Sequence, residues 1–322
     1  MEQSRNLSID FIKVVAMLGV MCLHTEICFY ENPIAQCLYM SAVISIPLFF
    51  MVSGWLLYGK SPVGIDYSAR KIWGILRFVL IISTFFWFVS GVRHGVPYLK
   101  YVFGGLLQKG GLYVFWYFGA MIILYALLPI SQRIYKNYHR AFIALTAVLG
   151  ILSNAIFAAN FFGVHIENNT IQTFRLWNWL FYFNLGGLLR RYHVKSNAVL
   201  VISLFVANYL FQYFLTPMMP TISCEYFYGS LPVMALCLFL FAWMSNVEGS
   251  RLKYIMGGAN LFLPCYVFHI YVIGKTEPLF RQYVYSQVPF AAPLYWVLVA
   301  AITMALSWVV MKIPYMDRIF KI

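Results

Sequence analysis

The sequence predicts an all-α polytopic integral membrane protein of about ten transmembrane helices, N-in and C-in, and three observations carry that expectation. Of its 322 residues 62% are hydrophobic and 10% charged, more apolar surface than one water-soluble core can hide. The apolar residues gather into recurring runs of roughly 20, the length a helix needs to cross the hydrocarbon layer. The runs are also continuous, without the period-two alternation of a lipid-facing barrel wall, so helices are expected and strands are not.

The ten runs lie near residues 8–28, 36–58, 72–92, 113–131, 141–161, 174–190, 197–216, 226–245, 257–275 and 290–311. The first is too long for a signal-peptide core and ends in "HTEICFYENP" instead of a small-residue cleavage site, so it is expected to be retained. The longest connection, about 93–112, contains "VPYLKYVFGGLLQKGG" and reads as an interfacial amphipathic segment. No connection is long enough for a soluble domain, and residues 1–322 read as a single membrane domain. No internal repeat with matched broken helices is visible, which weakens a transport reading.

The net charge of +13 does not point to nucleic acid, because the basic residues are dispersed among the helix connections. With the N-terminus inside and spans alternating, fifteen of the 23 lysines and arginines fall on the cytoplasmic side and five opposite, with Lys13, Arg77 and Arg175 inside spans. That asymmetry predicts an even number of spans and both termini inside. The six cysteines have no metal-ligand spacing and mostly fall within spans, so they are expected as small core residues and no metal site is predicted.

An ionisable side chain at mid-membrane costs roughly 2.5–3.5 kcal/mol on insertion scales, so each one needs a snorkelling route or a purpose. The first run, "IDFIKVVAMLGVMCLHTEICFY", holds four. Asp10 and Lys13 are neighbours on one helix face near the cytoplasm, where an ion pair anchoring the helix end is the plain reading. His24 lies eleven residues beyond Lys13, three turns on, so it shares the Lys13 face about 16 Å further along. A histidine bonded across a helix interface is its structural alternative. Glu26 is nearly opposite His24 on a regular helix, a poor orienter for it, and reads as interfacial. On the third span "SARKIWGILR" puts Arg70, Gly74 and Arg77 on one stripe with Lys71 beside it. Arg70 and Lys71 can anchor at the cytoplasmic surface, whereas the deeper Arg77 is expected to face a polar cavity. Arg175 starts the sixth span from outside and can snorkel. His269 lies in the ninth span at a depth compatible with His24, with a packing histidine as the alternative.

In order along the chain, "RNLSIDFIKVVAMLGVMCLH", "SIPLFFMVSGWLL", "VFWYFGAMIILYALLPI", "WLFYFNLGGLLRR" and "LPCYVFHIYVIG" resemble the acyltransferase family 3 of integral membrane proteins. The most specific element is a basic residue followed after ten others by a histidine, here Lys13 and His24. The resemblance implies a ten-span enzyme of the cytoplasmic membrane that moves an acyl group, usually acetyl from acetyl-CoA, onto hydroxyls of glycans or other envelope molecules. It implies His24 as the catalytic histidine and Lys13 as its basic partner. The family carries two arginines three apart at the start of the third span. The aligned residues here are Lys71 and Gly74, so the second arginine is missing, and Arg77, one turn on, is the candidate to substitute for it. Asp10, Glu26, Arg175 and His269 are expected in supporting or acceptor-side roles.

Chemistry agrees with this reading. A neutral imidazole can take the proton of a hydroxyl as it attacks a thioester, although covalent acylation of His24 is equally open. Arg70, Lys71, Arg77 and Lys13 supply the charge that the phosphates of acyl-CoA need. The donor is a substrate, so no permanently bound cofactor is expected. The expected partners are acyl-CoA, a carbohydrate or other envelope acceptor and membrane lipid, and any acceptor-side partner enzyme would be a separate chain. Two alternatives stand beside it: a transporter whose polar path is lined by Lys13, His24, Arg77 and His269, and a catalytically inactive membrane subunit.

Overall fold

A computed structural model describes residues 6–25, 33–89, 96–218, 224–247, 261–285, 288 and 290–320, and all regular structure among them is helical. The first helix, α1 (Leu7–His24), begins where the Asn6 side chain accepts a hydrogen bond from the Ile9 amide at 3.1 Å, satisfying a donor that the helix leaves without a partner. It ends at His24, beyond which the Thr25 hydroxyl turns back to the Cys22 carbonyl at 3.0 Å.

The second predicted run is two helices, α2 (Pro33–Ala42) and α3 (Ser45–Tyr58), parted at Val43 and Ile44. Pro47 accounts for the break, since it has no N–H to give to the Val43 carbonyl one turn back and is tolerated only in the first turn of α3. Val43 and Ile44 are buried, which keeps this irregular backbone inside protein.

Then follow α4 (Ile65–Val89), the short α5 (Tyr98–Gly104) inside the predicted interfacial segment, α6 (Trp116–Asn137), α7 (His139–Phe161) and α8 (Leu176–Arg191). The chain continues as α9 (Ala198–Leu215), α10 (Leu231–Ser245), α11 (Phe262–Tyr283), α12 (Ala291–Val310) and the short α13 (Met316–Ile319).

Each of the ten runs is thus represented by helix, but among the described residues seven segments are long and apolar enough to cross a membrane. Of the remainder, α8 and α10 have 16 and 15 residues, short of the roughly 20 that a span requires. The 22-residue α11 has the length but carries His269, Lys275, Glu277 and Arg281.

The helices form two compact units, residues 1–53 with 189–316 and residues 54–188 with 317–322. In the first, α1 packs against α2, α10, α11 and α12. Ten of its eighteen residues are buried, so it is enclosed on more than one side. The approach of α1 to the start of α3 depends on Gly19, where an added Cβ would run into the Ser45 hydroxyl. Trp296 on α12 donates its indole N–H to the Leu18 carbonyl at 2.9 Å. Gln212 on α9 donates to the Met40 carbonyl at 3.0 Å, satisfying one of the acceptors that the end of α2 leaves open.

In the second unit α4 packs on α6 and α6 on α7. Gln132 ties the α3–α4 connection to α6: its Oε1 accepts from the Val63 amide at 2.7 Å, and its Nε2 donates to the Leu57 carbonyl at 3.0 Å. Tyr58 donates to Asn184 Oδ1 at 2.6 Å and lies against Gly187. Gly54 stands on the Phe183 backbone with no space for a side chain, so this contact between α3 and α8 depends on a glycine.

Candidate active site

The candidate catalytic histidine is the last residue of α1, so its backbone is fixed by the preceding turns while its ring stands at the helix end, half-buried. The ring of His269, on α11, faces it at 5.2 Å between centroids with a 45° tilt. His269 is fully buried. Its Nδ1 lies 3.2 Å from the Cys265 carbonyl one turn earlier, and its Nε2 has no hydrogen-bond partner among the described residues. Met17, Met21, Phe49, Phe262 and Tyr266 gather around His269 and line a shallow crevice with it. These apolar side chains shield the His269 ring from water.

Lys13 lies on the same unbroken helix as His24. Its ammonium pairs with Asp10 Oδ1 at 2.9 Å, and Asp10 is buried. The expected helix-end ion pair is therefore present. Pairing with a nearly buried carboxylate holds the lysine head on one side of α1, with about a quarter of its side chain exposed. Glu26 lies outside the described residues.

The basic residues of the third predicted span sit on α4, in the second unit. Lys71 lies 6.0 Å above the Tyr67 ring, Lys60 lies 5.8 Å from the same ring, and Lys136 donates to the Lys60 carbonyl at 2.7 Å. Tyr67 thus gathers positive charge by cation–π attraction, a role the sequence reading missed although Tyr67 and Lys71 stand four apart on one helix. Arg70 is exposed on the first turns of α4.

Arg77 corrects an expectation. It does not face a cavity: it is exposed, on the side of α4 that also exposes Trp73 and Leu80, because the buried stripe of this helix runs through Ile75, Phe78, Val79 and Ile82. Arg175 corrects another. It does not snorkel outward: it is 4% exposed, and its guanidinium donates to the Thr170 carbonyl at 2.9 Å and the Glu167 carbonyl at 2.8 Å. It holds the α7–α8 connection, where Asn178 also donates to the buried Glu167 at 3.3 Å. Cysteines 22, 237 and 265 are buried as expected, whereas Cys37 is exposed. Among the described residues no three His, Cys, Asp or Glu side chains are placed to hold a metal ion.

A family model described as an acyltransferase domain matches residues 6–312. The chain belongs to the acyltransferase 3 family, a family of membrane acyltransferases, and its helices long and apolar enough for spans agree with that membership. Comparison with curated proteins and with solved structures gave no significant match.

Proposed function

We propose that this chain transfers an acyl group, acetyl foremost, from cytoplasmic acyl-CoA to a hydroxyl of an extracytoplasmic glycan or related envelope molecule. Its spans number ten, with α8, α10 and α11 completing the set and both termini inside. The observation that carries the reading is His24 at the end of a rigid helix, half-open and beside a buried histidine, within a chain matched almost end to end by the acyltransferase family.

The reaction follows from that placement. The acceptor hydroxyl approaches the thioester carbonyl carbon while His24 takes its proton; the C–O bond forms, the C–S bond breaks, and the departing thiolate recovers the proton from the imidazolium. Lys13, held by Asp10, lies about 16 Å back along α1, a distance suited to the pantetheine arm of the donor. Arg70, Lys71 and Arg77, on α4 in the second unit, are the further cations proposed for acyl-CoA from the sequence. Among them Lys71 sits in the set of cations around Tyr67.

The purified protein in lipid vesicles, given radiolabelled acetyl-CoA and a mixture of candidate glycan acceptors, is expected to release CoA thiol and form an alkali-labile ester in equal amounts. Movement of a solute across the vesicle with no acyl-CoA consumption would replace this reading with a transporter.

A further inference from the structure

The orphaned nitrogen of His269 has a chemical identity that its own hydrogen bond fixes. A carbonyl oxygen can only accept, so the 3.2 Å contact with Cys265 requires a proton on Nδ1. In neutral imidazole the other nitrogen then carries a bare lone pair. That lone pair, on Nε2, is buried and has no partner among the described residues. A buried acceptor left without a donor has lost its hydration with nothing in return, so this residue is held in an unfavourable state until a donor arrives.

Among the described residues two rings that carry a donor lie against His269. Tyr266 is on the same helix with its ring 5.9 Å away, and its position is set by the backbone it shares with His269. His24 comes from another helix, and at 5.2 Å between centroids two facing ring nitrogens come within hydrogen-bond reach. A metal bridging the two imidazoles would need further ligands, and none of the described His, Cys, Asp or Glu side chains completes a set of three.

We propose that His269 is a positioning residue for His24: in the reacting state its Nε2 accepts an N–H from the His24 ring, so that the other His24 nitrogen is presented as a lone pair to the attacking hydroxyl. This rests on the reading of His24 as the base for acyl transfer. The pairing does what a carboxylate does behind a catalytic histidine elsewhere, selecting one tautomer and steadying the imidazolium that forms. It does so with a neutral group, which avoids an ionised carboxylate in the membrane interior. No bond other than the hydrogen bond changes at His269, and the substrate proton stays on His24 until the thiolate takes it.

The test is ¹⁵N NMR of protein labelled at histidine and reconstituted in lipid, with ring signals assigned by the His24→Gln and His269→Gln variants, alongside steady-state kinetics. In the unsubstituted protein His269 is expected as the Nδ1–H tautomer and His24 as a single tautomer. In His269→Phe, which cannot accept, His24 is expected to show both tautomers, with kcat lower by about 10-fold or more and KM for acyl-CoA unchanged. His269→Gln, which retains an acceptor oxygen, is expected to recover the single tautomer and most of the rate. A protonated Nε2 on His269, or mixed His24 tautomers, in the unsubstituted protein overturns the proposal without any variant having to fold. So does a His24 tautomer indifferent to His269→Phe. A single His24 tautomer that depends on His269, in a protein with no acyl transfer, supports the pairing and faults the enzymatic reading instead.

Discussion

The imidazoles of His24 and His269 stand 5.2 Å apart although they come from nearly opposite ends of the chain. The first and eleventh helices must therefore meet before the centre exists, and both belong to the same compact unit. On this arrangement His24→Ala is expected to lower transfer about 10²–10⁴-fold, the range for loss of a general base. The protein should stay folded, since the half-buried ring closes no core. Initial rates with purified protein, set against its thermal unfolding, measure both. Normal rates in the variant would remove His24 from the mechanism.

Trp296 connects α12 to α1 by its hydrogen bond to the Leu18 carbonyl, less than two turns before His24. Trp296→Phe keeps most of the packing and removes the donor, a loss of about 0.5–1.5 kcal/mol. If the bond steadies the end of α1, kcat falls several-fold while KM for acyl-CoA holds, because small misplacements at a reacting centre are expensive. A KM change at constant kcat would locate the effect elsewhere.

Gly54→Leu is expected to prevent stable folding, because the new side chain would meet the Phe183 backbone, which cannot rotate away. Overpacking of this kind costs about 1–3 kcal/mol and sometimes more. Gly64→Ala is the internal control, since a Cβ there meets nothing within 4 Å. Monodispersity and melting temperature in detergent should separate the two variants sharply.

How far the sequence carried this structure depends on whether a feature is local. Helix α1 was legible because apolarity, the run length and the Lys13–His24 spacing are properties of one segment, and the Asp10–Lys13 pair follows from a three-residue offset. The break at Val43 and Ile44 had a local cause in Pro47 that the continuous hydropathy concealed. Arg175 and Arg77 went the other way because snorkelling and cavity-facing are decided by neighbouring elements: the α7–α8 connection folds over Arg175, and the buried stripe of α4 bypasses Arg77. A shared depth for His24 and His269 was readable, but their contact was not, since it requires the relative rotation of two helices.

Exposure of Arg77 sets what its removal should do. Exposed on α4, it can meet a donor phosphate without the desolvation that burial imposes, and it can equally meet lipid headgroups. Arg77→Ala is expected to raise KM for acyl-CoA several-fold and leave kcat intact, with Lys71→Ala acting in the same direction. Unaltered acyl-CoA affinity in Arg77→Ala, measured by calorimetry, would remove Arg77 from donor binding.

The remaining prediction concerns sidedness and follows from charge. Fifteen of the 23 lysines and arginines fall on one side when the predicted spans alternate from a cytoplasmic N-terminus, the bias that orients membrane proteins. In that orientation Lys13 is near the cytoplasm, where acyl-CoA is made, and His24, at the far end of α1, is in the outer half of its span. One donor molecule lying along α1 would then present its phosphates inside and its thioester toward the outside. The acceptor hydroxyl should consequently arrive from the opposite side. In vesicles of defined protein orientation, with acetyl-CoA confined to one compartment and acceptor to the other, turnover is expected when acetyl-CoA is on the side of the N-terminus and acceptor is across the bilayer. Turnover only when both substrates share the N-terminal side would leave His24 as the base but remove the transmembrane path, and the acceptor would then have to be a cytoplasmic molecule.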